Sequence, residues 1–137
     1  MSASNRSAGA AFERAFAGAL HGYGFWVHPL RQSDAGQPAD IIACRGGRTW
    51  LIDCKACLRG RFELSRVEEN QTLAMDEFQK RGGGTAWFAV SIRGGVWMIS
   101  FDVVRDLMAA GKGSVGAAAF GETLGMSVDE WVGRETR

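Results

Sequence analysis

Asp40, Asp53 and Lys55 are the residues whose types and spacing can do chemistry. The apolar run Thr49 to Cys54 reads as a strand, in which side chains alternate between faces. Asp53 and Lys55 therefore emerge on one side with Thr49 and Leu51, while Trp50, Ile52 and Cys54 turn to the other. Burying either charge without a partner would be expensive. Asp40 enters the preceding run just ahead of Ile41-Ile42-Ala43, and hairpin pairing of the two runs brings it close to Asp53. Two converging carboxylates repel, and the usual remedies are a shared proton or a bound cation. Mg²⁺ takes oxygen ligands and keeps several waters when few carboxylates bind it. The pair thus reads as a Mg²⁺ or Mn²⁺ site, with the Cys54 backbone carbonyl a further ligand. Such an ion polarises a phosphoryl oxygen and lowers the pKa of a bound water. Lys55 would orient that water or stabilise the charge that develops in the transition state. The competing reading is a strand-end ion pair of Asp53 with Lys55, with Asp40 capping a turn. Spacing alone does not separate the two.

These residues must be held by a sheet and its helices. Phe12, Ala15, Phe16, Ala19 and Leu20 mark the buried stripe of a helix over residues 8 to 21. It stops at Gly22 and Gly24. Phe25 to His28 reads as a strand closed by Pro29, and residues 31 to 37 as a polar loop. The runs Ala39 to Cys44 and Thr49 to Cys54 flank Arg45-Gly46-Gly47-Arg48, a tight-hairpin signal. Neither run alternates cleanly, as befits strands covered on both faces. A basic linker over 58 to 65 leads to a helix from about Arg66 to Lys80, with Val67, Ala74 and Phe78 on one stripe. Strands over 85 to 92 and 96 to 101 flank a second Gly-Gly turn, and a short helix over 102 to 110 follows. The expected fold is α/β: a mixed central sheet of about five strands flanked by helices, in the order α-β-β-β-α-β-β-α. Residues 1–110 form a single domain, with 1–7 a flexible lead-in. Residues 111–137 are a Gly/Ala-rich extension in which Ser127 to Glu130 has capping-box spacing for a brief helix.

The bulk numbers agree with one globular domain of 137 residues, 46% hydrophobic and 23% charged. Nothing approaches the run of about 20 apolar residues that spans a bilayer, and the start lacks the order of a secretory signal. No membrane association is expected, and cytoplasm is the expected compartment. The odd count of 3 cysteines fits a reducing environment. A net charge of +1 does not announce a nucleic-acid binder. The distribution is more telling: Arg45, Arg48, Lys55, Arg59, Arg61 and Arg66 face only Asp53 and Glu63 within that stretch. A local basic stretch attracts phosphates even when the total is balanced, although a solvated basic loop looks the same.

Pro38-Ala39-Asp40 followed across a hairpin by Asp53-Cys54-Lys55 resembles the PD-(D/E)XK nuclease motif, and the order of helices and strands is similar to that superfamily's restriction-endonuclease-like core. Phe12-Glu13-Arg14, Gly24-Phe25 and Ala39 to Ala43 resemble archaeal-type Holliday junction resolvases. Lys55, Phe62 to Leu64, Asn70-Gln71 and Trp87 to Val90 resemble the RecU-type resolvases. The likeness covers roughly residues 9 to 108. It implies a structure-selective endodeoxyribonuclease, a homodimer acting on branched DNA such as a four-way junction, in DNA recombination and repair, without a small-molecule cofactor. It further implies that Glu13 supports a metal or its water, that Gln71 stands near the site, and that Arg31 and Ser33 touch the scissile phosphate. Arg59, Arg61 and Arg66 would hold phosphate backbone rather than read bases. A nuclease for flaps, nicks or forks on the same core is the nearest alternative; a nucleic-acid-binding module without activity is the other.

Three signals are better explained by packing or turns. Cys54-Lys-Ala-Cys57 has redox or zinc spacing but lacks a second ligand pair. Gly111 to Ser114 lacks the glycine spacing of a phosphate loop. The tryptophans fall mostly at strand positions and read as core rather than as base-stacking platforms.

Overall fold

The computed structural model describes residues 3–30 and 36–137. Its central hairpin joins β2 (Ile41–Arg45) to β3 (Arg48–Cys57) through Gly46 and Gly47. Both glycines have positive φ, 59° and 79°, the two-residue turn whose twist matches that of the strands it joins. This turn sets Arg45 opposite Arg48, and the register then runs through Ile42 opposite Leu51 to Ile41 opposite Ile52. One more step along that register sets Asp40 against Asp53, and the Asp40 N–H donates to the Ile52 carbonyl at 3.2 Å. A slip by one residue would turn every β3 side chain to the wrong face.

Around the hairpin the chain builds a six-stranded sheet. β1 (Trp26–Pro29) pairs antiparallel with β2 on the outer side. β5 (Thr85–Ile92) runs parallel to β3, reached by a crossover through α2 (Glu69–Lys80). β6 (Gly95–Ser100) and the two-residue β8 (Met126–Ser127) complete the other side. β4 (Arg61–Glu63) and β7 (Ser114–Gly116) form a separate small ribbon.

Each face of the sheet has its own core. On one face, α1 (Ala3–Gly22) and α4 (Val128–Glu135) cover Trp50, Ile52 and Trp87 with Phe16, Leu20 and Trp131. On the other, α2, α3 (Phe101–Ala109) and the ribbon cover Leu51, Phe88 and Val90 with Met75, Val104, Phe62 and Val115. The continuous burial of Ala86 to Val90 on β5 reflects this double cover.

Several expected boundaries move. The sheet has six strands rather than five, because β8 pairs with β6 at its edge. α1 begins at Ala3, within the expected lead-in, since residues 3 to 11 hold four alanines and no proline to stop the helix. The expected linker contains β4 and a 3₁₀ turn, Leu64–Arg66, so α2 starts at Glu69 rather than Arg66. There the Glu68 side chain accepts from the Gln71 N–H and the Gln71 side chain from the Glu68 N–H, a reciprocal cap. The C-terminal segment is not loose. Ser127 caps α4 by accepting from the Glu130 N–H, and Trp131 is fully buried against Phe25, Trp50 and Trp87 at 5.7, 5.8 and 6.0 Å between ring centres. Residues 127 to 132 carry too short a pattern for that role to be read without knowing the aromatic slot they fill.

Candidate active site

β3 delivers Asp53 and Lys55 to the α2 side of the sheet, where both are buried, at 1% and 9% exposure. Their cost of burial is offset by each other and by the first turn of α2. Lys55 Nζ lies 2.8 Å from Asp53 Oδ2. Gln71 ties the two together: its Nε2 donates to Asp53 Oδ1 at 2.9 Å, and its Oε1 accepts from Lys55 Nζ at 3.2 Å. The same Oε1 accepts from the Glu68 N–H, so the helix cap and the site share one amide. Lys55 Nζ also donates to the Arg66 carbonyl at 3.1 Å.

Asp40 approaches from the start of β2. Its Oδ2 accepts from the Cys54 N–H at 2.7 Å, and its Oδ1 from Gln37 Nε2 at 2.6 Å. Within a strand a residue's N–H and C=O point to the same side, so the Cys54 carbonyl also leaves β3 on the Asp40 side. Its side chain packs on the opposite face. Burial pushes that thiol well above its ordinary range, which keeps it neutral. Cys57 belongs to the other core, so the two cysteines do not form a zinc knuckle.

The acids are strained as a group. Burial pushes Asp53 up to about 7; Lys55 pulls it down and the Asp40 charge pushes it up again. Burial also raises Asp40, against the Cys54 N–H bond and with the Glu13 charge. Glu13, on α1, is raised by burial and then by the Asp53 charge. A hydrogen bond between the Asp40 and Asp53 carboxyls requires one of them to hold a proton. Asp53 Oδ2 has the Lys55 ion pair but no hydrogen bond. A buried carboxylate oxygen whose partner is a lysine ammonium, next to a second carboxylate, fits a cation ligand.

These groups line a cleft of about 320 Å³ together with Arg6, Arg66 and Glu68. A larger concavity of about 430 Å³ lies at the other end of β3 and β5. There Glu135 Oε1 is already taken by Trp50 Nε1 and Thr85 Oγ1, so the smaller cleft is the candidate site. The structure thus brings together Asp40, Asp53, Lys55, Glu13 and Gln71, with Arg66 at the rim. Arg66 also donates to the Ala56 carbonyl at 2.9 Å. Arg59 and Arg61 lie beyond the cleft, on the turn after β3 and on β4, where Arg61 donates to Ser114 Oγ. Arg31 and Ser33 fall outside the described residues. Sequence reasoning missed Arg6, Gln37 and Glu68. The Glu68-x-x-Gln71 spacing carried a capping signal; Arg6 lay in the expected lead-in and carried none.

Known proteins share this sequence pattern and this fold. The sequence model of the archaeal Holliday junction resolvase family matches residues 4–126. The crossover junction endodeoxyribonuclease Hjc of Sulfurisphaera tokodaii is 32% identical over 108 residues, covering 75% of this chain and 72% of that protein. The solved structure of Archaeoglobus fulgidus Hjc, described as a Holliday junction resolvase, superposes with a TM-score of 0.71 at 18% identity. It covers 90% of this chain and 99% of that one. Of the two resolvase branches the sequence resembles, the archaeal one is found, and the chain belongs to the archaeal Holliday junction resolvase family of the PD-(D/E)XK nuclease superfamily.

Proposed function

We propose that this chain is an endodeoxyribonuclease that cuts four-way DNA junctions by hydrolysing phosphodiester bonds, with Mg²⁺ as its ion and Mn²⁺ able to replace it. The observation that carries the reading is the buried Asp53 carboxylate, whose Oδ2 has the Lys55 ion pair but no hydrogen bond, beside a second carboxylate, Asp40. Among the described residues no three His, Cys, Asp or Glu side chains close into a ready-made cage. That suits Mg²⁺, which is commonly held by one or two carboxylates, with waters and substrate phosphates filling the rest. Asp40, Asp53 and the Cys54 carbonyl would hold it, and Glu13 would reach it through water. When bound, the ion supplies charge to a phosphoryl oxygen and acidifies a water.

The chain's own groups divide the remaining work. Lys55 is held by the Asp53 ion pair and by two acceptors, the Arg66 carbonyl and the Gln71 amide oxygen, so its ammonium would stay where charge develops on the phosphate. Gln71 keeps Asp53 and Lys55 in register with each other. Arg6 and Arg66, at the cleft, would grip the phosphates on either side of the cut; Arg59 and Arg61 would extend the positive surface beyond it, and Arg31 and Ser33, outside the described residues, would touch the scissile phosphate. Resolution needs two matched cuts, so two copies related by a two-fold axis would present two such sites. No helix among the described residues is long and apolar enough to cross a membrane; cutting of DNA junctions would take place in the cytoplasm.

The test offers labelled four-way junction, flap, nicked, forked, single-stranded and linear DNA to the parent and to Asp53→Asn, with Mg²⁺ or EDTA. Paired cuts on the junction, absent in EDTA and in the variant, are expected. Cutting of flaps or forks in preference would move the substrate; tight junction binding with no cutting in Mg²⁺ or Mn²⁺ would leave only a binding module.

A further inference from the structure

Of the 5 tryptophans in the chain, packing explains four. Trp50, Trp87 and Trp131 are buried, and Trp97 is half-buried against the core under α2 and α3. Trp26 is 59% exposed. It opens β1, the edge strand of the sheet. The register states which way it faces. Trp26 is opposite Cys44, His28 is opposite Ile42, and Ile42 is opposite Leu51. Cross-strand partners share a face, and Leu51 shares its face with Asp53 and Lys55. Trp26 and His28 therefore project from the same side of the sheet as the acid site, on its β1 edge.

The two rings form a shelf. They lie 5.6 Å apart between centres and are inclined by only 5°. The strand that carries them is tied to the site, because the Leu30 N–H donates to the Asp40 carbonyl at 2.8 Å. Trp26 stands four residues before Leu30, which places it about 13 Å away along the strand. That separation is about four base steps of a DNA strand.

We infer that Trp26 is a base-stacking platform, whose indole, backed by His28, takes the open face of a nucleobase at the DNA branch point while the acid site engages the strand. This deepens the junction-cutting reading and rests on it. A single ring suffices to stack a base, because every base has a π-face. It does not suffice for a protein partner: the strand residue that shares its face is an imidazole, whereas protein interfaces need a contiguous apolar centre.

The experiment uses four-way junctions carrying 2-aminopurine at each position flanking the branch point in turn, bound in EDTA so that no strand is cut. The parent is expected to quench the probe at a particular position. Trp26→Ala should lose that quench and bind the junction about 5- to 140-fold more weakly, the range for one lost base–aromatic stack; Trp26→Phe should retain the quench and most of the affinity. Because the side chain is exposed, both variants should melt with the parent, which a thermal scan checks. Equal quench and affinity in Trp26→Ala would overturn the inference. So would conversion of a dimeric parent to monomer by Trp26→Ala in sedimentation, which assigns the ring to a contact between copies. A parent that does not prefer junctions over linear duplex defeats the junction reading separately. The same probe, moved into the DNA that the parent does prefer, then decides the platform: quench lost in Trp26→Ala supports it, and quench retained overturns it.

Discussion

Asp53→Asn separates the charge of the central carboxyl from its shape. In the folded chain Asp53 titrates at about 7, against an ordinary value of 3.8. The folded value is raised, so the neutral acid is the form the fold prefers. That preference is fully present below pH 3.8, is lost as pH rises from there to about 7, and is constant beyond. Ionising Asp53 in the folded protein thus costs about 4 kcal/mol relative to the unfolded chain, with roughly 3 kcal/mol of that falling between pH 5 and pH 8. Asparagine retains an oxygen for Gln71 Nε2, now at 2.9 Å from Asp53 Oδ1, and never ionises. Urea denaturation in EDTA measures the comparison at fixed pH, with two optical probes to establish a single transition. The stability of the variant relative to the parent should climb by roughly 3 kcal/mol from pH 5 to pH 8. Millimolar Mg²⁺ at pH 8 should then stabilise the parent, in which a cation relieves the repulsion, and leave the variant unmoved. Identical pH dependence of the two proteins would refute the claim that buried carboxylate repulsion prepares this site for a cation.

Other outcomes follow from the same contacts. Gln71→Ala removes the amide that serves Asp53, Lys55 and the Glu68 N–H. A loss of about 1–3 kcal/mol is expected in thermal or urea melts, together with a fall in single-turnover cleavage that exceeds any fall in junction affinity. Lys55→Gln should lower single-turnover cleavage by about 10²- to 10³-fold. It should leave Mn²⁺ binding at least as tight by calorimetry, because a competing ammonium 2.8 Å from Asp53 Oδ2 has gone; weaker Mn²⁺ binding would contradict that placement. Trp131→Ala empties the slot between Phe25, Trp50 and Trp87 and should cost about 3–5 kcal/mol, whereas a C-terminal appendage would tolerate the change.

The sequence by itself determined the local features of this protein. The paired glycines at 46 and 47 dictate a two-residue turn, and strand parity then puts Asp53 and Lys55 on one face; these depend on backbone geometry over a few residues. Glu13 and Gln71 came from the resemblance, and α1 and α2 hold them where the Asp53 charge and side chain are felt. Only the tertiary structure decided what depends on distant partners. The start of α2 was set by a cap that shares its amide with Lys55, so that boundary moved with the site. Arg6 entered the cleft because α1 runs longer than its apolar stripe. The last eleven residues became structural because an aromatic slot, built from three separate elements, accepts Trp131. At Asp40, Asp53 and Lys55 the same division holds. The residue types and spacing stated a metal site and an ion pair equally well. Packing around Asp53 shows the ion pair, with Oδ2 buried 2.8 Å from Lys55 Nζ; the metal is what the Mg²⁺ comparison of the parent with Asp53→Asn tests.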